Sequence, residues 1–228
     1  MTAKPFRVIT CAEWGARPPR GALAPVTKKP VRALLHHTAG HSVAGASGET
    51  YSQAVAYVKS IQNFHMGPQR GWADTGQNFT VTRNGYIFEG RHGSFDRVSR
   101  GQMVVSAHCP GQNDQPGVEV EHVDPEAWTP IQHEALVWLF SWICKACAIP
   151  ATHIYGHRDF FATACPGALY TRLPQFRIDV ASALRPKAKP FWQVKVTDSH
   201  GMTKVTTQSK RTYVIPLDAH SVEIQRNS

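Results

Sequence analysis

Short apolar runs alternate along this chain with stretches of helical periodicity, and that alternation limits the fold more than any other feature. Val31 to His37 is an apolar run too brief for a stable helix, and it reads as a buried strand. Thr50 to Met66 carries Tyr51, Val55, Val58, Ile61 and Phe64 at helical spacing and is closed by Gly67-Pro68. Gln77 to Thr82 alternates like a strand, Asn84-Gly85 is a hairpin turn, and Tyr86 to Glu89 returns as the partner strand. Met103 to Ala107 and Gly117 to His122 predict two further strands around the loop Cys109 to Pro116. The strongest helix is Thr129 to Ala148, where Thr129 can cap, Pro130 suits the first turn and Ile149-Pro150 ends the run. His153 to Tyr155 predicts a short strand, and Leu173 to Leu184 a last helix. The Pro-, Gly- and Ala-rich opening through Lys29 reads as an extended arm with turns, and Gly40 to Gly48 as a small-residue loop. Interleaved strands and helices imply an α/β fold with a mixed central β-sheet flanked by helices on both faces.

Composition changes after Leu184. The sequence predicts a main domain over 1–184, a Pro/Lys linker over 185–190 and a small C-terminal β appendage over 191–228. Within the appendage, Phe191 to Thr197, Thr203 to Thr207 and Thr212 to Leu217 read as strands, with a turn at His200-Gly201. Units below ~40 residues rarely fold alone, so the appendage should pack on the main domain or pair with another chain. From Arg185 onward eight Lys and Arg stand against three Asp and Glu, within a chain of formal charge +9. Such a balance favours a polyanionic partner. No nucleic-acid motif accompanies it, so no nucleic acid is expected as partner. No apolar run approaches the ~20 residues of a membrane span. Met1 to Thr10 lacks the apolar core of a secretory signal. The five cysteines are odd in number. Cys144 and Cys147, one helical turn apart, suit core packing; Cys11 and Cys109 read as free thiols.

Chemistry enters with His36, at the end of the first apolar run, and with His157 and Cys165 in Gly156-His157-Arg158-Asp159 and Cys165-Pro166-Gly167. Imidazole nitrogen and thiolate sulfur are preferred zinc donors, and three protein ligands with an open position form the catalytic pattern. Zn2+-assisted hydrolysis is therefore the first expectation.

Five motifs occur in order: Trp14-Gly-Ala-Arg-Pro-Pro19, Leu35-His-His-Thr-Ala-Gly40, Gly71-Trp-Ala-Asp-Thr-Gly76, Ala107-His108 through Asn113 to Gly117, and Gly156-His157 to Cys165-Pro-Gly167. Together they resemble the zinc N-acetylmuramoyl-L-alanine amidases, a superfamily that includes phage lysozyme-amidases and peptidoglycan recognition proteins. The resemblance covers roughly 7 to 184. It implies His36, His157 and Cys165 as zinc ligands, with His37 either supporting them or facing substrate. Where the phage and recognition-protein branches carry a catalytic tyrosine, this chain has Gln77, which cannot act as acid or base. Bacterial cytoplasmic muropeptide amidases also lack that tyrosine and use a glutamate in a Gly-Ile-Glu strand, matched here by Gly117-Val118-Glu119. The resemblance thus implies Glu119 as general base and Thr163 as oxyanion donor. Strand alternation puts Glu119 and Glu121 on one face, Val118 and Val120 on the other.

The same likeness sets His108 in the substrate groove with Asn113 beside it. Gln77 is expected to face substrate. Arg91 and His92 either contact the peptide or are solvated, and Trp14 and Trp72 read as packing residues. The partner implied is bacterial peptidoglycan, with anionic wall polymers for the basic appendage. The implied activity is hydrolysis of the muramoyl–L-alanine amide, in the manner of a phage or prophage endolysin held in the host cytoplasm until release. The alternatives are a recognition module that binds wall fragments without cutting them, and a cytoplasmic muropeptide-recycling amidase.

Overall fold

The computed structural model describes residues 6–26, 28–41, 49–185, 191–208 and 219–227. In chain order the elements are β1 (Val8–Ile9), α1 (Cys11–Trp14), β2 (Pro25–Val26), β3 (Ala33–His37), α2 (Tyr51–Met66), β4 (Phe79–Val81), β5 (Ile87–Glu89), α3 (Ser94–Ser99) and β6 (Met103–Val104). They continue with β7 (Gly117–Val120), α4 (Pro130–Cys147), β8 (Ile154–Gly156), α5 (Leu173–Leu184), β9 (Phe191–Asp198), β10 (Thr203–Gln208) and β11 (Ala219–Asn227). By contacts the chain divides into two compact units, 1–184 and 185–228.

The first unit is built on a six-stranded sheet in the order β1-β5-β4-β7-β3-β8. β4 and β5 form the antiparallel hairpin, while β4, β7, β3 and β8 run parallel to one another. The sheet is mixed, as expected. Its strands alternate between two cores. Val8 and Ile87 join Leu35, Phe79, Val81, Val118 and Val120 beneath α4 and α5, while Ile9 and Phe88 turn the other way to pack with Trp14, Ala54 and Val58. Cys144 and Cys147 lie in the larger core, and all five cysteines are free thiols.

Helix starts follow local chemistry. Thr50 and Thr129 cap α2 and α4, each in a reciprocal capping box with Gln53 or Gln132, and such caps are each worth about 1 kcal/mol. The opening segment departs from a plain extended arm. Thr10 and Glu13 form a third capping box that starts α1, and Val8–Ile9 pairs in parallel with β5. β6 is shorter than the expected 103–107 strand and leaves the central sheet to pair with β2. Helix α3 lies outside the helices expected from the sequence; its αL start at Gly93 lacks a side-chain cap.

The second unit is a three-stranded antiparallel sheet, β10-β9-β11. Strand β11, beyond the expected ones, pairs along one side of β9. The expected strand at Thr212 to Leu217 and most of the 185–190 linker lie outside the described residues. Among the described residues, no helix is long and apolar enough to cross a membrane.

Candidate metal centre and cleft

The neighbouring parallel strands β7, β3 and β8 carry the site at their carboxyl ends, the usual crevice of an α/β sheet. Register sets Glu119 of β7 directly beside His36 of β3, and Gly156, the last residue of β8, beside Leu35. His157 follows at once in a tight turn, and the chain then loops round to Cys165. Residues 36, 119 and 157 therefore come from three adjacent strand ends, although more than 100 positions separate the first from the last.

His36, His157 and Cys165 bring one ligand atom each to within 4.8 Å of one another. Nδ1 of His36 stands 3.8 Å from Cys165 Sγ, and the His36 and His157 rings lie 4.4 Å apart. A chain of hydrogen bonds fixes the tautomer of His36. Nε2 of His108 is 2.9 Å from the Gln115 carbonyl, which only accepts, so that nitrogen carries the proton. Nδ1 of His108 is then an acceptor, and at 2.9 Å it takes the Nε2 proton of His36. Nδ1 of His36 is left with its lone pair toward Cys165 and His157, as a metal ligand requires. A Cβ at Gly117 would collide with the His108 ring, so glycine there lets the ring lie against β7.

Burial favours the uncharged forms throughout. It holds His36 well below the usual imidazole range, lowers His157, and brings His108 down to about 4. It pushes the Cys165 thiol up to about 12 and the Glu119 carboxyl up to about 8. A thiol so placed ionises only beside a compensating cation. Nε2 of His157 is buried and has no hydrogen-bond partner among the described residues, a cost that a metal bond would remove. The donors present therefore fit a divalent metal ion.

Around them is an open cleft of about 210 Å³, lined by His37, Gln77, His108, Glu119 and Thr163 as well as the three donors. The Thr163 hydroxyl oxygen accepts the Cys165 N–H at 3.2 Å, which leaves its own proton to donate. The His37 N–H points to Cys165 Sγ at 3.3 Å. Buried Gln77 donates from Nε2 to Thr80 at 2.8 Å.

Two expected substrate residues lie outside the lining. Arg91 is buried and donates to the Thr75 carbonyl at 2.8 Å; Asn113 accepts the Cys109 N–H and, through its carbonyl, the N–H and hydroxyl of Ser106. Both organise loops. His92 is bound to Asp74 rather than solvated. Trp14 is buried and donates to the Glu89 carbonyl. Sequence reasoning misses a second wall, in which His65 stacks on half-buried Trp72 at 4.7 Å and Arg70 lies over the indole. Fully buried Asp74 secures that wall, accepting from Gln62, Thr75 and His92. The Trp72-x-Asp74-x-Gly76 spacing is the signal that could have found it.

Known proteins resemble this chain in sequence and in fold. The family model described as N-acetylmuramoyl-L-alanine amidase matches residues 27–168. Peptidoglycan-recognition protein SD of Drosophila simulans is 30% identical over 174 residues, covering 74% of this chain and 85% of that protein. The N-acetylmuramoyl-L-alanine amidase of Sus scrofa is 32% identical over 178 residues, which span 73% of this chain and 27% of that protein. The crystal structure of Drosophila peptidoglycan recognition protein SD superimposes with a TM-score of 0.63 at 25% identity, covering 75% of this chain and 95% of the other.

Proposed function

Because this chain belongs to the N-acetylmuramoyl-L-alanine amidase family, we propose that it is a zinc hydrolase cutting the amide between the lactyl group of N-acetylmuramic acid and L-alanine of the stem peptide. The observation that carries this reading is the convergence of His36, His157 and Cys165 at the floor of an open cleft with Glu119 beside them. Zinc held by these donors supplies Lewis acidity that polarises an amide carbonyl and brings the pKa of water to about 7.

The chain's own groups do the rest. Glu119, held by burial near neutrality at about 8, can take a proton from the attacking water and return it to the leaving amine. The free proton of Thr163 can meet the oxyanion as charge develops. His108 fixes the His36 tautomer, and the Trp72–His65 wall gives an extended substrate a flat surface. The formal charge of +9 supports action on the anionic bacterial wall, as an endolysin-type enzyme whose basic appendage adds wall affinity.

Gln77 at the family's tyrosine position favours one rival, a module that binds wall fragments without cutting. Cys165 and Glu119 weigh against it. The deciding experiment digests purified walls with and without chelator and reads the products by mass spectrometry. Chelator-sensitive release of free stem peptide is expected, whereas binding without release would leave the recognition reading.

A further inference from the structure

A second group of donors stands next to the first. His37 at the end of β3, with His122 and Asp124 in the segment after β7, brings one ligand atom each to within 4.8 Å of one another. His122 is only 1% exposed, and its Nε2 lies 2.6 Å from the Glu126 carbonyl. A carbonyl accepts only, so Nε2 carries the proton and Nδ1 of the neutral ring keeps a lone pair. Among the described residues that buried Nδ1 has no hydrogen-bond partner, and it stands 3.8 Å from Asp124 Oδ1, beyond hydrogen-bond reach. Nδ1 of His37 is likewise buried and without a partner among the described residues, and the two rings stack at 5.7 Å. Burying such nitrogens unpaired is unfavourable. One proton could bridge a single pair of these donors; a cation satisfies all three.

The carboxylate is positioned as well. Oδ1 of Asp124 accepts the Ala168 N–H at 2.7 Å, and a Cβ at Gly167 would collide with the carboxylate. Asp124 is thereby seated on the loop that carries Cys165. Two donors bonded to one tetrahedral zinc-sized ion at ~2.0–2.2 Å lie about 3.4 Å apart. The trio lies within 4.8 Å with His122 Nδ1 and Asp124 Oδ1 at 3.8 Å, and the closing movement falls to Asp124, whose side chain is 47% exposed.

We propose that His37, His122 and Asp124 form a second divalent-metal site, distinct from the His36–His157–Cys165 set, that takes a zinc-class ion. Two imidazoles and one carboxylate suit Zn2+ and its first-row neighbours rather than Mg2+ or Ca2+. The bound ion staples the end of β3 and the segment after β7 to the loop bearing Cys165, and fixes His37 on the cleft wall.

The test is zinc stoichiometry on the full chain, stripped of metal and titrated with Zn2+, read by native mass spectrometry and calorimetry. Two ions are expected for the wild type. Asp124→Asn keeps an oxygen for Ala168 but removes the charge, and should take one; Cys165→Ser should also take one, and the double variant none. With Co2+ as probe, the thiolate-to-metal absorption should persist in Asp124→Asn and vanish in Cys165→Ser. A wild type that takes a single ion, lost in Cys165→Ser, overturns the second site without reliance on any other variant. Two ions retained by Asp124→Asn would overturn it too. A single ion that survives Cys165→Ser but not Asp124→Asn would uphold this site and defeat the proposed catalytic one, so the two readings fail separately.

Discussion

Replacing Glu119 by glutamine should stabilise the metal-free protein while removing most hydrolysis by the zinc-loaded one. Burial raises the folded-state pKa of Glu119 from an ordinary 4.5 to about 8. A carboxyl raised in this way favours folding fully only below its unfolded pKa, and that stability is lost as pH climbs through the folded value. A pKa difference of one between folded and unfolded states is worth ~1.36 kcal/mol, so the whole window carries about 5 kcal/mol, of which roughly 3 is already lost at pH 7. Glu119 is half-buried rather than sealed, and solvent screening brings the figure at pH 7 to about 2 kcal/mol. Glutamine has nearly the same shape and does not titrate. Urea unfolding of both zinc-free proteins from pH 5.5 to 8 should show the variant's advantage widening as pH rises; the histidines are common to both and cancel in the difference. Parallel profiles, or a glutamine variant less stable at pH 8, would refute the claim that an ionising carboxyl is buried here. With zinc restored, the variant should keep its metal yet release stem peptide at least 100-fold more slowly, within the range of general acid–base catalysis (10²–10⁴-fold).

Four other outcomes follow from the same geometry. Since burial pushes the Cys165 thiol up to about 12 and a ligand must be a thiolate, zinc uptake at the His36 set should release a proton and tighten as pH rises; calorimetry in buffers of different ionisation enthalpy measures this, and Cys165→Ser should remove it. His108→Ala should weaken that metal's affinity about 10–100-fold, although His108 is not a ligand, because the His36 tautomer loses its fixed partner; chelator competition provides the measure. Thr163→Val should lower kcat by about 10²-fold with KM and zinc content little changed, as loss of one oxyanion donor predicts. Deleting 186–228 should reduce pelleting with bacterial walls at low salt far more than at high salt; unchanged pelleting would separate the appendage from wall binding.

Much of the frame can be read locally. Thr129-Pro130 and Thr50 announce α4 and α2 because a cap is chemistry within four residues, and Asn84-Gly85 announces the β4–β5 hairpin for the same reason. The Thr10-x-x-Glu13 capping box is equally local, yet the prolines and glycines that follow it mask its meaning. The β2–β6 pair carries too few residues to show a period. Within the site, His36, His157, Cys165, Glu119 and Thr163 emerge from motifs, and the fold gathers them in one cleft. His108 belongs to the groove by its motif and does line it, yet its bond to His36 spans 72 positions and leaves no mark on local sequence. Arg91 and Asn113 resemble substrate contacts because they sit in polar loops; their polar atoms are instead used to hold those loops together. His122 and Asp124 carry no local signal, since their meaning depends on His37, some 85 residues away.

Sequence alone determined the main strands and helices of the first unit, the His36, His157 and Cys165 donors, and that the chain's end is basic, because propensity, capping and charge act over a few neighbouring positions. Only tertiary structure decided that β7, β3 and β8 lie side by side in a register that sets Glu119 against His36. Parallel pairing is made across long crossovers, and no local period encodes it. The same packing removes water from the gathered groups, and with it come the bare nitrogen on His36, the raised Glu119 carboxyl and the unpaired nitrogens of His37 and His122.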